Sequence, residues 1–184
     1  MSFTKWSVDP THSEITFKVK HLMISTVTGQ FNKFSVEVET ENNDFNSVKK
    51  IGFSADIDSI DTNNEQRNAH LKSADFFNAE QHPRVEFSGT DYEVKTGKLQ
   101  GNLSIGGITK PVTLDVEFGG QAKDPWGGER AGFAVTGKIS RKEFGLTYNA
   151  VTEAGGVVVG DEIKINAEVQ LVKQAGELQS EEAA

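Results

Sequence analysis

Ser13-Glu-Ile-Thr-Phe-Lys-Val-Lys-His21 is the stretch that decides the fold. Successive side chains of an extended chain point to opposite faces, so Ile15, Phe17 and Val19 share one face while Glu14, Thr16, Lys18 and Lys20 share the other. A strand with one dry and one wet face needs a surface on which to lay the dry one. His21 ends the inward series, where it is either a polar group at the edge of an apolar interior or a hydrogen-bonded structural histidine.

The same alternation recurs in Phe53-Ser-Ala-Asp-Ile-Asp-Ser59, Val85-Glu-Phe87, Leu99-Gln-Gly-Asn-Leu-Ser-Ile105, Val112-Thr-Leu-Asp-Val-Glu-Phe118 and Ile163-Lys-Ile-Asn-Ala-Glu-Val-Gln-Leu171. Runs from Val27 to Val38 and from Phe133 to Ile139 complete about eight strands, preceded by a short one around Phe3 to Val8. Glu41-Asn-Asn-Asp44 and the pairs Gly106-Gly107, Gly119-Gly120, Gly127-Gly128 and Gly155-Gly156 separate many of them, which predicts sequential antiparallel pairing. A sheet with one apolar face either packs on a second sheet as a sandwich or closes on itself. Closure also removes exposed edges, and Gly101 and Gly137 inside strand patterns suit the bends of a barrel. The expected fold is all-β: an eight-stranded antiparallel up-and-down barrel with one short helix between strands.

The helix is expected in Asn63-Asn-Glu-Gln-Arg-Asn-Ala-His-Leu-Lys-Ser-Ala-Asp-Phe-Phe77, which has no β-branched residue and follows a Thr62/Asn63 cap. Helical spacing puts Arg67, His70, Leu71, Ala74 and Phe77 on one stripe against the barrel.

The 184 residues suit a single domain, expected over 1–173, with an acidic, disordered tail over 174–184. Nineteen basic against 27 acidic residues give a net charge of −8, whose long-range field repels phosphate polyanions and anionic lipid headgroups and disfavours nucleic acid as a partner. The absence of cysteine excludes disulfides, thiolate catalysis and sulfur-ligated zinc. The N-terminus lacks the apolar core of a secretory signal, so the chain as given is expected to be cytoplasmic, although a mature exported protein with a new start methionine would read the same. There is no HExxH, P-loop, GxGxxG or GxSxG sequence on which to anchor catalysis. Asp56 and Asp58 share the wet face of their strand, where two carboxyl groups do not share a buried proton.

Several segments in order resemble the bacterial polyisoprenoid-binding, lipocalin-like proteins of the YceI family. They are Trp6-x-Val-Asp-Pro-x-His-Ser13, Phe17-x-Val-x-His21, Gly29-x-Phe31, Ser59-Ile-Asp-Thr62 and Arg67-x-x-His-Leu-x-Ser-x-Asp-Phe-Phe77 in the first half. His82-Pro-x-Val-x-Phe87, Gly101-x-Leu-x-Ile-x-Gly107, Ile139-Ser-Arg-x-x-Phe-Gly-Leu146 and Gly160-Asp-Glu-Ile163 follow. Each motif alone is weak; the ordered series is specific. The resemblance implies an apolar tunnel that holds an isoprenoid quinone, a polyprenyl compound or another long lipid, without catalytic residues or cofactor. It also implies a homodimer as one possible assembly. Asn68 departs from the Asp usual in the family after the helix arginine.

Alternation selects Ile15, Phe17, Val19, Phe31, Phe53, Ile57, Phe87, Leu103, Ile105, Leu114, Val116 and Phe133 as tunnel lining, with Leu71 and Phe77 from the helix and His21 at the mouth. These side chains would equally fill a solid core, and only the resemblance favours a hollow one. Arg67 and His70 either hydrogen-bond a ligand oxygen or, for Arg67, pair with Asp58 or Asp61 to hold the helix. Arg141 and Lys142 are expected to brace a turn, and Trp6 to cover the closed barrel end. The leading expectation is a non-enzymatic protein that binds a long-chain lipid noncovalently, needs no metal, and touches membranes transiently. The alternatives are an enzyme acting on such a lipid through His21, Arg67 or His70, and an interaction domain with a filled barrel.

Overall fold

The computed structural model describes residues 3–148 and 159–174. Its elements in order are β1 (Phe3–Val8), β2 (Glu14–His21), β3 (Ser25–Phe31), β4 (Phe34–Glu41), β5 (Asp44–Asp56), β6 (Ile60–Asp61), α1 (Glu65–Lys72), β7 (Arg84–Glu93), β8 (Lys98–Ile105), β9 (Ile108–Lys123), β10 (Glu129–Ser140) and β11 (Val159–Lys173). All pairings are antiparallel, and the order β1-β4-β5-β7-β8-β9-β10-β11 returns from β11 to β1. The sheet is therefore a closed barrel of eight strands with one helix, not a sandwich.

The count of eight needs one qualification. β11 pairs with β2 from Ile163↔Val19 to Glu168↔Glu14 and with β1 at Leu171↔Val8, so β1 and β2 are two halves of one barrel strand. β3 and β4 form a second broken strand, and β5 and β6 a third. The N-terminal strand read from the sequence is thus no ninth strand, and the Val27 to Val38 run is interrupted at Asn32 and Lys33.

Local chemistry produces these breaks. Pro10 has no N–H to give a ladder. The Asp9 carboxylate accepts from Thr11 N at 3.0 Å, turning the chain through a 3-10 turn at Pro10–His12. A second such turn at Ile57–Ser59 ends β5. The breaks lie side by side: Asn32 N donates to Ser59 O at 3.1 Å, Asp56 N to Lys33 O at 2.9 Å, and Gln170 N to Ser13 Oγ at 2.9 Å. Three neighbouring strands turn one corner.

The corner corrects readings that assumed unbroken strands. Asp58 leaves the strand face of Asp56, which meets Arg84 at 3.4 Å. Gly119-Gly120 is a bulge rather than a turn: Gly120 pairs with Gly132 and Phe118 with Phe133, leaving Gly119 over, and β9 runs on to Lys123. Gly155-Gly156 lies outside the described residues, as does the tail from 175 onward. Gln174, grouped with the tail by composition, donates its N–H to Lys5 O at 2.8 Å.

Two clusters of buried side chains occupy the barrel interior, one around Trp6 and one around Phe87. At one end Trp6, fully buried, donates Nε1 to Thr40 Oγ1 at 3.1 Å and packs on Phe45 at 4.7 Å between ring centres. Phe45 meets Phe133 at 5.1 Å, and Phe118 meets Phe133 at 5.1 Å, so an aromatic plug closes that end. The corner beside it is pinned by Asp9, which accepts from Arg130 Nη1 at 2.7 Å and is 2.8 Å from His12 Nδ1. Arg130 also donates to Gln170 Oε1 at 2.7 Å and to Asp124 Oδ2 at 3.2 Å. The Thr11 hydroxyl, His12 and Arg130 hold the Asp9 carboxyl far below the usual carboxylate range. Asp124 is lowered too, chiefly by the Gly128 N–H.

Gly101 illustrates how tightly the strands approach. A Cβ there would stand 2.4 Å from Phe87 Cζ and 2.5 Å from the Ser88 carbonyl oxygen, which is main chain and has little freedom to yield. Gly101→Ala should therefore destabilise the protein by about 1–3 kcal/mol in urea unfolding. Acid unfolding tests the corner. A carboxyl whose pKa is lower folded than unfolded leaves the unfolded state binding more protons, so its contribution is complete above about pH 4 and declines as acid reaches the folded pKa. Asp9→Asn should lower stability at neutral pH and flatten its decline below about pH 4; an unchanged acid profile would remove Asp9 from the account.

Candidate functional site

Between the aromatic plug and the other end of the barrel lies a cavity with about 230 Å³ for the centres of water-sized molecules. Its walls combine alternate residues of many strands: Ile15, Phe17 and Val19 of β2, Ile51 and Phe53 of β5, Val85 and Phe87 of β7, Leu99, Leu103 and Ile105 of β8. Val112 and Leu114 of β9, Val135 and Ile139 of β10, and Ile163, Ile165, Ala167 and Val169 of β11 complete the circuit. Leu71 of α1 and Phe76 and Phe77 of the turns after it border the cavity as well. Apart from Thr16 and Arg141, every bordering residue is apolar.

The candidate residues divide on this geometry. Ile15, Phe17, Val19, Phe31, Phe53, Leu71, Phe77, Phe87, Leu103, Ile105 and Leu114 border the cavity. Ile57 does not: it begins the 3-10 turn, loses strand parity, and is fully buried in the same cluster as Val85 and Phe87. Phe133 belongs to the aromatic plug. Val116 borders a separate surface cleft with Tyr92 and Phe118. His21 is exposed at the end of β2, outside the cavity.

Arg67 and His70 also stand away from the lumen. Arg67 pairs with neither Asp58 nor Asp61; its Nε donates to Thr62 Oγ1 at 2.9 Å and its Nη2 to the Thr62 carbonyl at 2.5 Å. Asn68 Oδ1 accepts from Thr62 N at 2.8 Å and Thr62 Oγ1 at 2.6 Å, and its Nδ2 donates to Asp61 Oδ1 at 3.4 Å, so one amide ties the helix to β6 and the residue after it. His70 Nε2 lies 2.9 Å from Asp75 Oδ2, and its ring packs edge-on against Phe76 and Tyr148 at 5.1 and 4.9 Å. α1 ends at Lys72, five residues short of the expected stretch, and Asn64 rather than Thr62 or Asn63 caps it, accepting from Arg67 N at 2.9 Å. Loss of helical spacing after Lys72 explains why Phe76 joins the lumen and Ala74 is exposed.

Arg141 is the polar group the sequence reading under-weighted. It is 2% exposed and borders the cavity. Its Nε donates to Gly160 O at 2.9 Å, Nη1 to Leu146 O at 2.5 Å and Tyr148 O at 2.9 Å, and Nη2 to Val159 O at 3.2 Å. Burial pushes its pKa down, opposed by the charge of Asp161, which Ser140 Oγ and Lys142 N hold at 2.6 and 3.1 Å. One guanidinium thus gathers four carbonyls from the two chain segments that meet at this end of the barrel. Sequence offered a hint in the Ile139-Ser-Arg motif but no means of telling a buried arginine from a surface one. Among the described residues no three His, Asp or Glu side chains converge as a metal site, and no helix is long and apolar enough to cross a membrane.

The fold and the lumen define an antiparallel β-barrel with an apolar interior closed at one end. Residues 6–171 match the YceI-like domain, and the chain belongs to that family. It is 41% identical over 170 residues to a UPF0312 protein of Staphylococcus epidermidis, covering 91% of this chain and 96% of that one. The Campylobacter jejuni YceI protein superposes with a TM-score of 0.70 at 35% identity, over 82% of this chain and 87% of the other. A polyisoprenoid binding domain from Saccharophagus degradans shares the fold, with a TM-score of 0.61 at 14% identity over 90% and 97% of the two chains.

Removing the Arg141 guanidinium would strand four carbonyl acceptors. Arg141→Met should lower stability by at least about 3 kcal/mol in urea unfolding. Arg141→Lys should rescue little of it, because one ammonium cannot reproduce the planar fork.

Proposed function

We propose that this chain binds a long-chain isoprenoid or similar amphiphile, such as a polyprenyl compound or an isoprenoid quinone, noncovalently in the barrel lumen for storage, sequestration or transport. The observation that carries the reading is the cavity wall: apolar side chains from every barrel strand, with Arg141 and Thr16 as the polar exceptions. Such a wall suits hydrocarbon and offers water few partners. The kinship of the fold with a domain that binds polyisoprenoids supports the same ligand class.

Energetics favour exchange over irreversible capture. Moving a prenyl chain of about 40 carbons out of water grosses ~30 kcal/mol at ~0.8 kcal/mol per CH₂, above the ~18–21 kcal/mol at which noncovalent affinities saturate, so ordering costs must offset part of it. Relative to a bilayer the apolar gain nearly cancels, and a lipid passes between membrane and lumen at little net cost. A binding role also fits the chemistry better than an enzymatic one. Among the described residues the titratable group on the cavity wall is Arg141, whose donors are engaged by backbone carbonyls, while His21, Arg67 and His70 lie outside.

Solvent extraction of protein purified from its own source, followed by mass spectrometry, should recover a long-chain lipid. Ala167→Trp, which would place an indole in the lumen from β11, should cut uptake of a polyprenyl probe by about tenfold or more at a cost of about 1–3 kcal/mol in stability. Recovery of no lipid, together with failure of the unmodified protein to take up any prenyl or acyl chain, would overturn the reading.

A further inference from the structure

The β2–β3 hairpin breaks the usual rules for a turn. Its tip is Leu22-Met23-Ile24, and these side chains are 38%, 60% and 81% exposed. Leu22 and Met23 have φ of 52° and 58°, the left-handed region in which Gly or Asn is the unstrained choice. The chain therefore accepts backbone strain to display three consecutive apolar side chains to solvent.

Beside the tip is a concentration of positive charge that runs against the acidic balance of the chain. Lys18 of β2 stands opposite Lys164 of β11, and Lys164 opposite Lys138 of β10, all three exposed on the outer wall. Like charges directly opposite one another weaken a sheet. Lys20, also exposed, lies closer to the tip. The lysine ion pairs formed by described residues involve Lys49, Lys50, Lys98 and Lys173, so none of the four lysines near the tip pairs with a carboxylate among the described residues. Of the carboxylates at this end, Asp161 is engaged by Ser140 and Lys142 N, while Glu143 and Glu162 are exposed.

We propose that the Leu22-Met23-Ile24 tip and the Lys18, Lys20, Lys138 and Lys164 cluster form the face by which the barrel docks on an anionic lipid bilayer. Three residues of strand separate Lys18 from the end of β2, a rise of about 10 Å. Long lysine side chains at that height reach the headgroup layer when the tip enters the acyl boundary, an arrangement that combines apolar burial with electrostatic attraction. A second copy of the chain fits the same face poorly, since self-complementary docking would set the lysine row against itself. The location matters as well. His21 pairs with Val159, which borders the cavity along with Val19, so the docked tip sits at the end of the lumen away from the aromatic plug. The docking proposal rests on the lumen reading for its purpose but not for its physics.

Flotation with vesicles tests it. The wild-type chain should float with phosphatidylcholine vesicles containing phosphatidylglycerol, less with phosphatidylcholine alone, and progressively less as salt is raised. Ile24→Asp should weaken partitioning by about tenfold on both lipids. A Lys18→Glu/Lys164→Glu pair should abolish the preference for anionic vesicles and leave the neutral background. Both changes are at exposed positions, and circular dichroism confirms the fold. Uptake of a prenyl probe delivered from ethanol should be unaffected by Ile24→Asp, whereas transfer of the probe from vesicles should slow. Equal flotation of wild type and Ile24→Asp, or no flotation of wild type, would overturn the proposal. A shift from dimer to monomer in Ile24→Asp, without vesicle binding by the wild type, would assign the tip to an interface between copies instead. Docking without uptake of any lipid would sink the lumen reading and leave the docking face standing.

Discussion

β11 pairs along one edge with β10 and along the other first with β2 and then with β1, and with that pairing the ring β1-β4-β5-β7-β8-β9-β10-β11 closes. A closed ring fixes which face of every strand looks inward, because slipping the register by one residue would send a whole apolar set to solvent. The first barrel strand must follow β11 past a change of direction, and Asp9-Pro10 supplies the break. Its neighbours turn at the same level, at Asn32-Lys33 and at Ile57–Ser59. Closure and corner are therefore one problem solved at three adjacent places.

That corner organises the interior. The Trp6 cluster gathers with Val36, Val38, Phe45 and Leu171, and a second cluster gathers around Phe87, Leu103, Ile105 and Phe144. Several motif residues act at the boundaries of these regions rather than in chemistry. Asp9 and His12 hold the corner together with Arg130, Trp6 seals one end, Gly101 lets the Phe87 ring lie against the backbone, and Arg141 laces the other end. A motif series spread along the sequence thus reads as the set of places where a barrel of this shape needs a particular atom, or the absence of one.

Strand parity was legible in the sequence because it is a local property. Ile15, Phe17 and Val19, or Leu103 and Ile105, face inward for the reason that alternation gives, and the cavity is built from them. Parity fails where the chain leaves the strand, as at Ile57, and it cannot say how far along the barrel an inward residue sits. Phe133 and Val116 alternate correctly yet lie toward the plugged end. The lining of β11, from Ile163 to Val169, followed the same alternation and needed only the pairing with β2 and β10 to be assigned to the lumen. The helix was legible as an element but not in extent, since its end depends on turns that fold Phe76 and Phe77 back onto the barrel. The partner of Arg67 was chosen by charge, whereas the structure uses the hydroxyl and carbonyl of Thr62, with Asn68 accepting from the same residue.

The state of Arg141 bears on what a lipid-binding lumen would recognise. A guanidinium at the edge of an apolar cavity ordinarily invites a phosphate or carboxylate, because charge-assisted pairing is strongest where water is scarce. Here the donors already meet four carbonyls, and the nearby Asp161 carboxylate already balances the positive charge. Drawing the side chain onto a ligand would leave those carbonyls buried without partners, at a cost comparable to the interaction gained. If a hydrocarbon chain occupies the lumen, discrimination among lipids falls to the length and girth of the cavity between the Trp6 plug and the Arg141 lacing. A headgroup then remains near the mouth, where the bilayer surface and not a dedicated pocket supplies its surroundings.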